Sequence, residues 1–109
     1  RHAIDDAGRA FEDYLRRLAT DKGYDVSSKG GISEIAQVIG GQNSKLIHAK
    51  HLHICNCLRI IRVAAAHSKD KSTMEFWKIS PDLAIETILL MISTVRSIHY
   101  YVYNNQQFL

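Results

Sequence analysis

Proline occurs once in this chain of 109 residues, at Pro81, and glycine only six times. These residues are the strongest local breakers of regular structure, so a chain with so few of them is constrained towards long, uninterrupted helices. The apolar residues follow that lead. From about His2 to Lys22, Ile4, Ala7, Phe11, Leu15 and Leu18 recur at three and four residues, the helical period. Gly23 stops this segment. Glu12 and Asp13 lie on its polar side beside Arg9, Arg16 and Arg17, at spacings that support ion pairs. The polar stretch YDVSSKGG reads as a loop. A short helix follows near Ile32 to Ile39, with Ile32, Ile35, Ala36 and Ile39 on one face and Gly40-Gly41 at its end.

A long helical segment is expected from about Ser44 to His67. Ile47, His51, Ile54, Leu58, Ile61 and Ala65 form its stripe, widened by Ile60 and Ala64. SKDKSTMEF then reads as an exposed loop, with Phe76 and Trp77 folding back on the core. ISPDLAIE is a helix start: Ser80 as N-cap, Pro81 at the first helical position and Asp82 favourable to the helix dipole. The last helix runs to about Tyr103. Its Ala84, Ile85, Ile88, Leu89, Ile92, Val95 and Val102 are apolar almost all round, which predicts either a central helix or one shared with a partner subunit. There is no internal repeat and no low-complexity tract. The expectation is all-α: an up-and-down bundle of four to five helices.

The length fits one domain over 1–109 with one core, and the 46% hydrophobic and 23% charged residues are those of an ordinary globular chain. A net charge of +3 and a pI near 9.0 permit nucleic-acid binding without arguing for it, because the basic residues are scattered. The longest apolar stretches, AIETILLMIS among them, are interrupted by Glu86, Thr87 and Ser93 and read as too short to span a bilayer. Cys55 and Cys57 lie too close together for a useful loop-closing disulfide, so a reduced, cytoplasmic setting without membrane is expected. No signal peptide is visible, and Arg1 in place of an initiator methionine reads as a piece of a longer chain.

Two groups of residues have chemical potential. In HAKHLHICNC, His48, His51 and Cys55 share one helix face, and His53 and Cys57 another, at spacings open to zinc. No second cluster completes a structural zinc site, and cysteines on a core-facing helix act as small hydrophobes. The expectation is therefore no metal and no cofactor, with His51 a packed or interface histidine. No glycine-rich phosphate loop, serine–histidine–aspartate signal or paired-carboxylate pattern is present. Tyr100, Tyr101 and Tyr103 are suited to stacking on bases, but at the end of a buried helix they read as core and interface aromatics. The second group is Arg62 and His67 in IRVAAAHS, at the end of the long third main helix and before a polar loop.

In this setting the chain resembles the HEPN superfamily (higher eukaryotes and prokaryotes nucleotide-binding domains). Those are four- or five-helix bundles marked by arginine, four to six residues, then histidine, at the end of the third main helix. GRAFEDYLRRLATDKGY looks like the first helix of the bacterial subgroup, with Glu12 in the usual acidic position. GGISEIAQVI resembles its short second helix, LRIIRVAAAHS its motif, and SPDLAIETILLMISTVRSIHYY its last helix. The resemblance covers nearly the whole chain. It implies a metal-independent endoribonuclease of a toxin or antiphage-defence system. It also implies a homodimer through the motif-bearing and last helices, with two motifs facing one another across a cleft. RNA is the implied substrate, and an antitoxin or further domains of a longer chain are implied partners. His67 would be general base or acid and Arg62 the phosphate clamp, with Arg59, Lys69 and Lys71 holding RNA beside them. A histidine titrating near neutrality suits proton transfer, and a guanidinium fork suits phosphate oxygens.

Two features of the chain bear on that expectation. Five residues along an α-helix turn by about 500° and rise by about 7.5 Å, so Arg62 and His67 converge only if the helix ends near Ala66 or both face a groove made by a second subunit. Val63 stands where active members usually carry a polar residue, often asparagine. Relatives lacking part of the motif include catalytically silent dimerisation or RNA-binding modules, the alternative expectation here.

Overall fold

The computed structural model describes residues 2–41, 44–66 and 80–104. Among them the chain is all-α, a helical bundle of α1 (His2–Asp21), α2 (Ile32–Gly40), α3 (Ala49–Ala66) and α4 (Pro81–Asn104). The expected loop at Ser68–Phe76 and the packing of Phe76 and Trp77 lie outside the described residues.

α1 buries Ile4, Phe11, Leu15 and Leu18 on one stripe, as its period predicts. Gly23 ends it with φ 84, a left-handed conformation that favours glycine. The Gly23 N–H donates to Thr20 O (3.1 Å) and the Tyr24 N–H to Ala19 O (2.8 Å), which satisfies carbonyls the last turn would otherwise leave open. Arg16 then pins the following loop from below. Its Nη1 donates to Val26 O (3.0 Å) and its Nη2 to Lys29 O (2.6 Å), and Val26 is buried in the core. α2 buries Ile32, Ile35, Ala36 and Ile39, the expected face, and Ser33 Oγ donates to Asn56 Oδ1 of α3 (2.6 Å).

α3 begins at Ala49, five residues later than the apolar pattern implies. The intervening chain is held by the end of α2: Ile39 O accepts from both Leu46 N–H (2.8 Å) and Ile47 N–H (3.3 Å), and Lys45 turns at φ 52. The core stripe also differs. His51, Cys55 and Leu58 are buried, whereas Ile54 is only half-buried and Ile60, expected to widen the stripe, is 61% exposed.

α4 opens as expected, with Ser80 Oγ accepting from Leu83 N–H (3.1 Å). Its faces are the reverse of the simple apolar reading. Thr87, Met91, Thr94, Ser97 and Ile98 are buried, while Ile85 and Leu89 are 58% exposed and Ile92 48%. The buried threonines tolerate this because each hydroxyl donates to the carbonyl one turn back, Thr87 to Leu83 O (2.7 Å) and Thr94 to Leu90 O (2.6 Å). By length and composition α4 is sufficient to cross a membrane, which corrects the expectation that no stretch reaches that length.

The three long helices alternate in direction. His51 of α3 meets Ser97 of α4, and Arg62 meets Gly8 and Glu12 of α1, so α3 runs against both. Tyr103 Oη donates to Asp21 Oδ2 (3.1 Å), so α1 and α4 end together. The start of α1, the end of α3 and the first turns of α4 therefore share one end of the bundle.

Candidate functional site

Arg62 lies on the buried stripe of α3. His51, Cys55, Leu58 and Arg62 follow at four, three and four residues, so the guanidinium is one turn beyond the core and points the same way. What it meets on α1 is an opening. Gly8 occupies the stripe between Ile4 and Phe11 and is itself buried. A Cβ built on Gly8 would stand 2.5 Å from Arg62 Nε, 2.7 Å from Cδ and 2.9 Å from Cζ. The arginine thus lies flat across a gap that any larger residue would fill. One turn on, Glu12 Oε1 is 3.7 Å from Arg62 Nη1, with the two side chains 22% and 25% exposed.

Glu12 is shared. Its Oε2 accepts from Arg16 Nη2 (3.0 Å) and Nε (3.3 Å), while Oε1 faces Arg62. At 3.7 Å the Arg62 contact is an electrostatic pairing rather than a hydrogen bond, so it orients the fork without consuming its donors. The arrangement is a guanidinium fixed in place, partly open to solvent, beside one carboxylate. Such a group is suited to binding an anion. Arg59, one turn before it, is exposed. His67, Lys69 and Lys71 lie outside the described residues, as do the side chains of residues 63–66.

The histidine–cysteine segment has a structural occupation. The Lys50 N–H donates to His48 Nδ1 (3.1 Å), and the His48 N–H donates to His51 Nδ1 (3.2 Å). This is a reciprocal cap built from two histidines three residues apart: each imidazole accepts from a backbone donor that the first turn of α3 leaves open. His51 Nε2 lies 2.8 Å from Ser97 Oγ; with Nδ1 accepting, Nε2 carries the proton and donates. Burial, helped by Lys50 and His48, pushes the His51 pKa down to about 4, so the ring is neutral. Burial pushes the Cys55 thiol up to about 12, which keeps it protonated and unreactive. Among the described residues no group of three or more histidine, cysteine, aspartate or glutamate side chains is arranged to hold a metal.

The tyrosines at the end of α4 divide. Tyr101 is half-buried, edge-on to His48 and His51 with centroids 5.7 Å away. Tyr103 carries the Lys22 ammonium 4.6 Å above its ring and hydrogen-bonds Asp21. Tyr100 is exposed.

Spacing singles out Arg62 as a candidate and puts Glu12 on the polar side of α1, but neither their pairing nor the gap at Gly8 is visible in it. A glycine inside a strongly periodic helix costs about 1 kcal/mol relative to alanine, and its position on the apolar stripe is the signal that something else fills the space. The chain matches no family model, no curated protein and no solved structure.

Proposed function

We propose that residues 1–109 are a HEPN-like domain that cleaves RNA without a metal, in a composite site formed where two copies of the motif face each other. The observation that carries this reading is the seating of Arg62. An arginine laid across Gly8 and paired with Glu12 is costly to hold as mere surface decoration, and His67 follows it by five residues in the sequence. The order of the helices, a long first, a short second, a motif-bearing third and a long fourth, supports the same reading.

The chemistry asked of these residues is modest. The 2′-hydroxyl attacks the adjacent phosphorus as a base removes its proton; the 5′-oxygen leaves with a proton from an acid. The products are a 2′,3′-cyclic phosphate and a 5′-hydroxyl. His67 of one copy serves as base and that of the other as acid, and Arg62 neutralises charge gathering on the non-bridging oxygens. Arg59, Lys69 and Lys71 hold the flanking backbone.

The test is cleavage of single-stranded and loop RNA by the wild-type chain. His67→Ala should abolish cutting, and Arg62→Ala should slow it by roughly 10²- to 10³-fold, the usual cost of a lost transition-state donor. Helicity should remain in both. Val63 favours a second reading, a silent dimerising and RNA-holding module, because valine offers no hydrogen bond to substrate. That reading predicts intact RNA with the wild-type chain and cleavage once Val63→Asn is introduced.

A further inference from the structure

An open groove of about 440 Å³ runs between α1 and α4, within the size range of small-molecule sites. Ala7, Ala10, Phe11, Ile88, Ile92 and Val95 wall it, and on the α1 side the two alanines leave the room that larger side chains would fill. Only Tyr14 and Arg96 bring strong hydrogen-bonding groups to its lining. They stand level with one another. Asp21 and Tyr103 meet at the end of the bundle, and Tyr14 and Arg96 each lie seven residues, about two turns, before them. The groove therefore has a polar end at Tyr14 and Arg96 and an apolar run of about 10 Å back towards Ala7 and Ile88.

Both polar groups lack a match. The Tyr14 Oη is buried and has no hydrogen-bond partner among the described residues. Burial, helped by Tyr103, pushes its pKa up to about 12, so it stays protonated and able to donate. Arg96 is exposed and forms no ion pair among the described residues, and no residue lining the groove is acidic. We infer that this groove binds a monocarboxylate with a slender apolar tail, of the medium-chain fatty-acid class. The tail lies along the walls towards Ala7, and the carboxylate accepts from Arg96 and gives the Tyr14 hydroxyl its missing partner. Charge and shape select this occupant. A guanidinium fork matches a carboxylate, and an unpaired buried hydroxyl is a cost that a bound acceptor removes. A nucleotide would set several phosphate charges against one cation and apolar walls, and a neutral hydrocarbon would leave both polar groups unmatched. The inference shares no residue with the proposed RNA site and stands or falls without it.

The experiment is titration of the full chain with decanoate below its micelle-forming concentration, read from the Met91 methyl resonance, since Met91 also lines the groove, and from equilibrium dialysis. The wild type should bind decanoate saturably, one per chain. Arg96→Gln should weaken decanoate about tenfold or more and leave decanol binding unchanged, because only the charge-assisted bond is lost. Tyr14→Phe should weaken decanoate severalfold while the free chain melts no lower than wild type. Ala10→Leu, at an exposed helical position that leucine suits, should keep the fold and abolish binding of both ligands. A wild type that shows no saturable shift, an Arg96→Gln chain that binds decanoate as tightly as wild type, or binding that survives Ala10→Leu would overturn the inference. Decanoate affinity that falls as protein concentration rises would give the groove to a second copy. A Met91 shift with phosphatidylglycerol vesicles and none with decanoate would give it to a membrane. Either result overturns the inference as well.

Discussion

At the scale of single residues, Gly8 matters more than its size suggests. Alanine is the better helix former by about 1 kcal/mol, so Gly8→Ala should leave thermal stability within about 1 kcal/mol of wild type while expelling the Arg62 guanidinium. Melting curves beside RNA-cleavage rates separate the two effects: stability is expected to hold and activity to fall. A variant that unfolds would show that Arg62 is part of the core instead. Glu12→Gln should also cost little stability, about 1 kcal/mol or less, because both of its ion pairs are partly exposed, yet it should loosen the arginine and reduce cutting. His51 makes a separate statement. Its folded-state pKa of about 4 lies below the ordinary imidazole value of 6.5, so between those values the unfolded chain binds more protons than the folded one. The stability it confers is complete above about pH 6.5 and is lost as pH falls through about 4, to a total of roughly 3 kcal/mol. Urea unfolding at pH 7 and pH 4.5 should show the loss, and His51→Gln should flatten it.

At the scale of elements, the sequence reveals the ends of helices best where a side chain or a glycine closes them locally. Gly23 with its positive φ and Ser80 before Pro81 are legible because their cause lies within a few residues. The start of α3 is not, because Ile47 continues the apolar period while its backbone bonds back to Ile39. The histidines were visible as a pair, but i and i+3 spacing serves a metal and a capping box equally well; only the bonds to the backbone of His48 and Lys50 decide between them. Ser97→Ala should therefore cost about 1–3 kcal/mol, since it deprives a buried imidazole donor of its acceptor, with no change in metal content. α4 misleads for a different reason. Apolar periodicity marks a face without showing whether the bundle covers it, and here the face with Thr87 and Thr94 turns inward because both hydroxyls are satisfied by the carbonyl one turn back.

For the whole molecule, all-α architecture follows from period and scarcity of breakers, and the position of Arg62 follows from its place on the stripe of α3. The gap at Gly8 and the sharing of Glu12 are relations between α1 and α3, which only the packed bundle creates. A second copy would bring two such clamps into one assembly, and the function proposed here requires it. The most direct measurement is end-group analysis of RNA incubated with the wild-type chain in EDTA, alongside Arg62→Ala. The wild type should leave 2′,3′-cyclic phosphate and 5′-hydroxyl ends, undiminished by the chelator and nearly absent with Arg62→Ala. Intact RNA from the wild type, or cleavage that Arg62→Ala leaves unchanged, would contradict the proposed function.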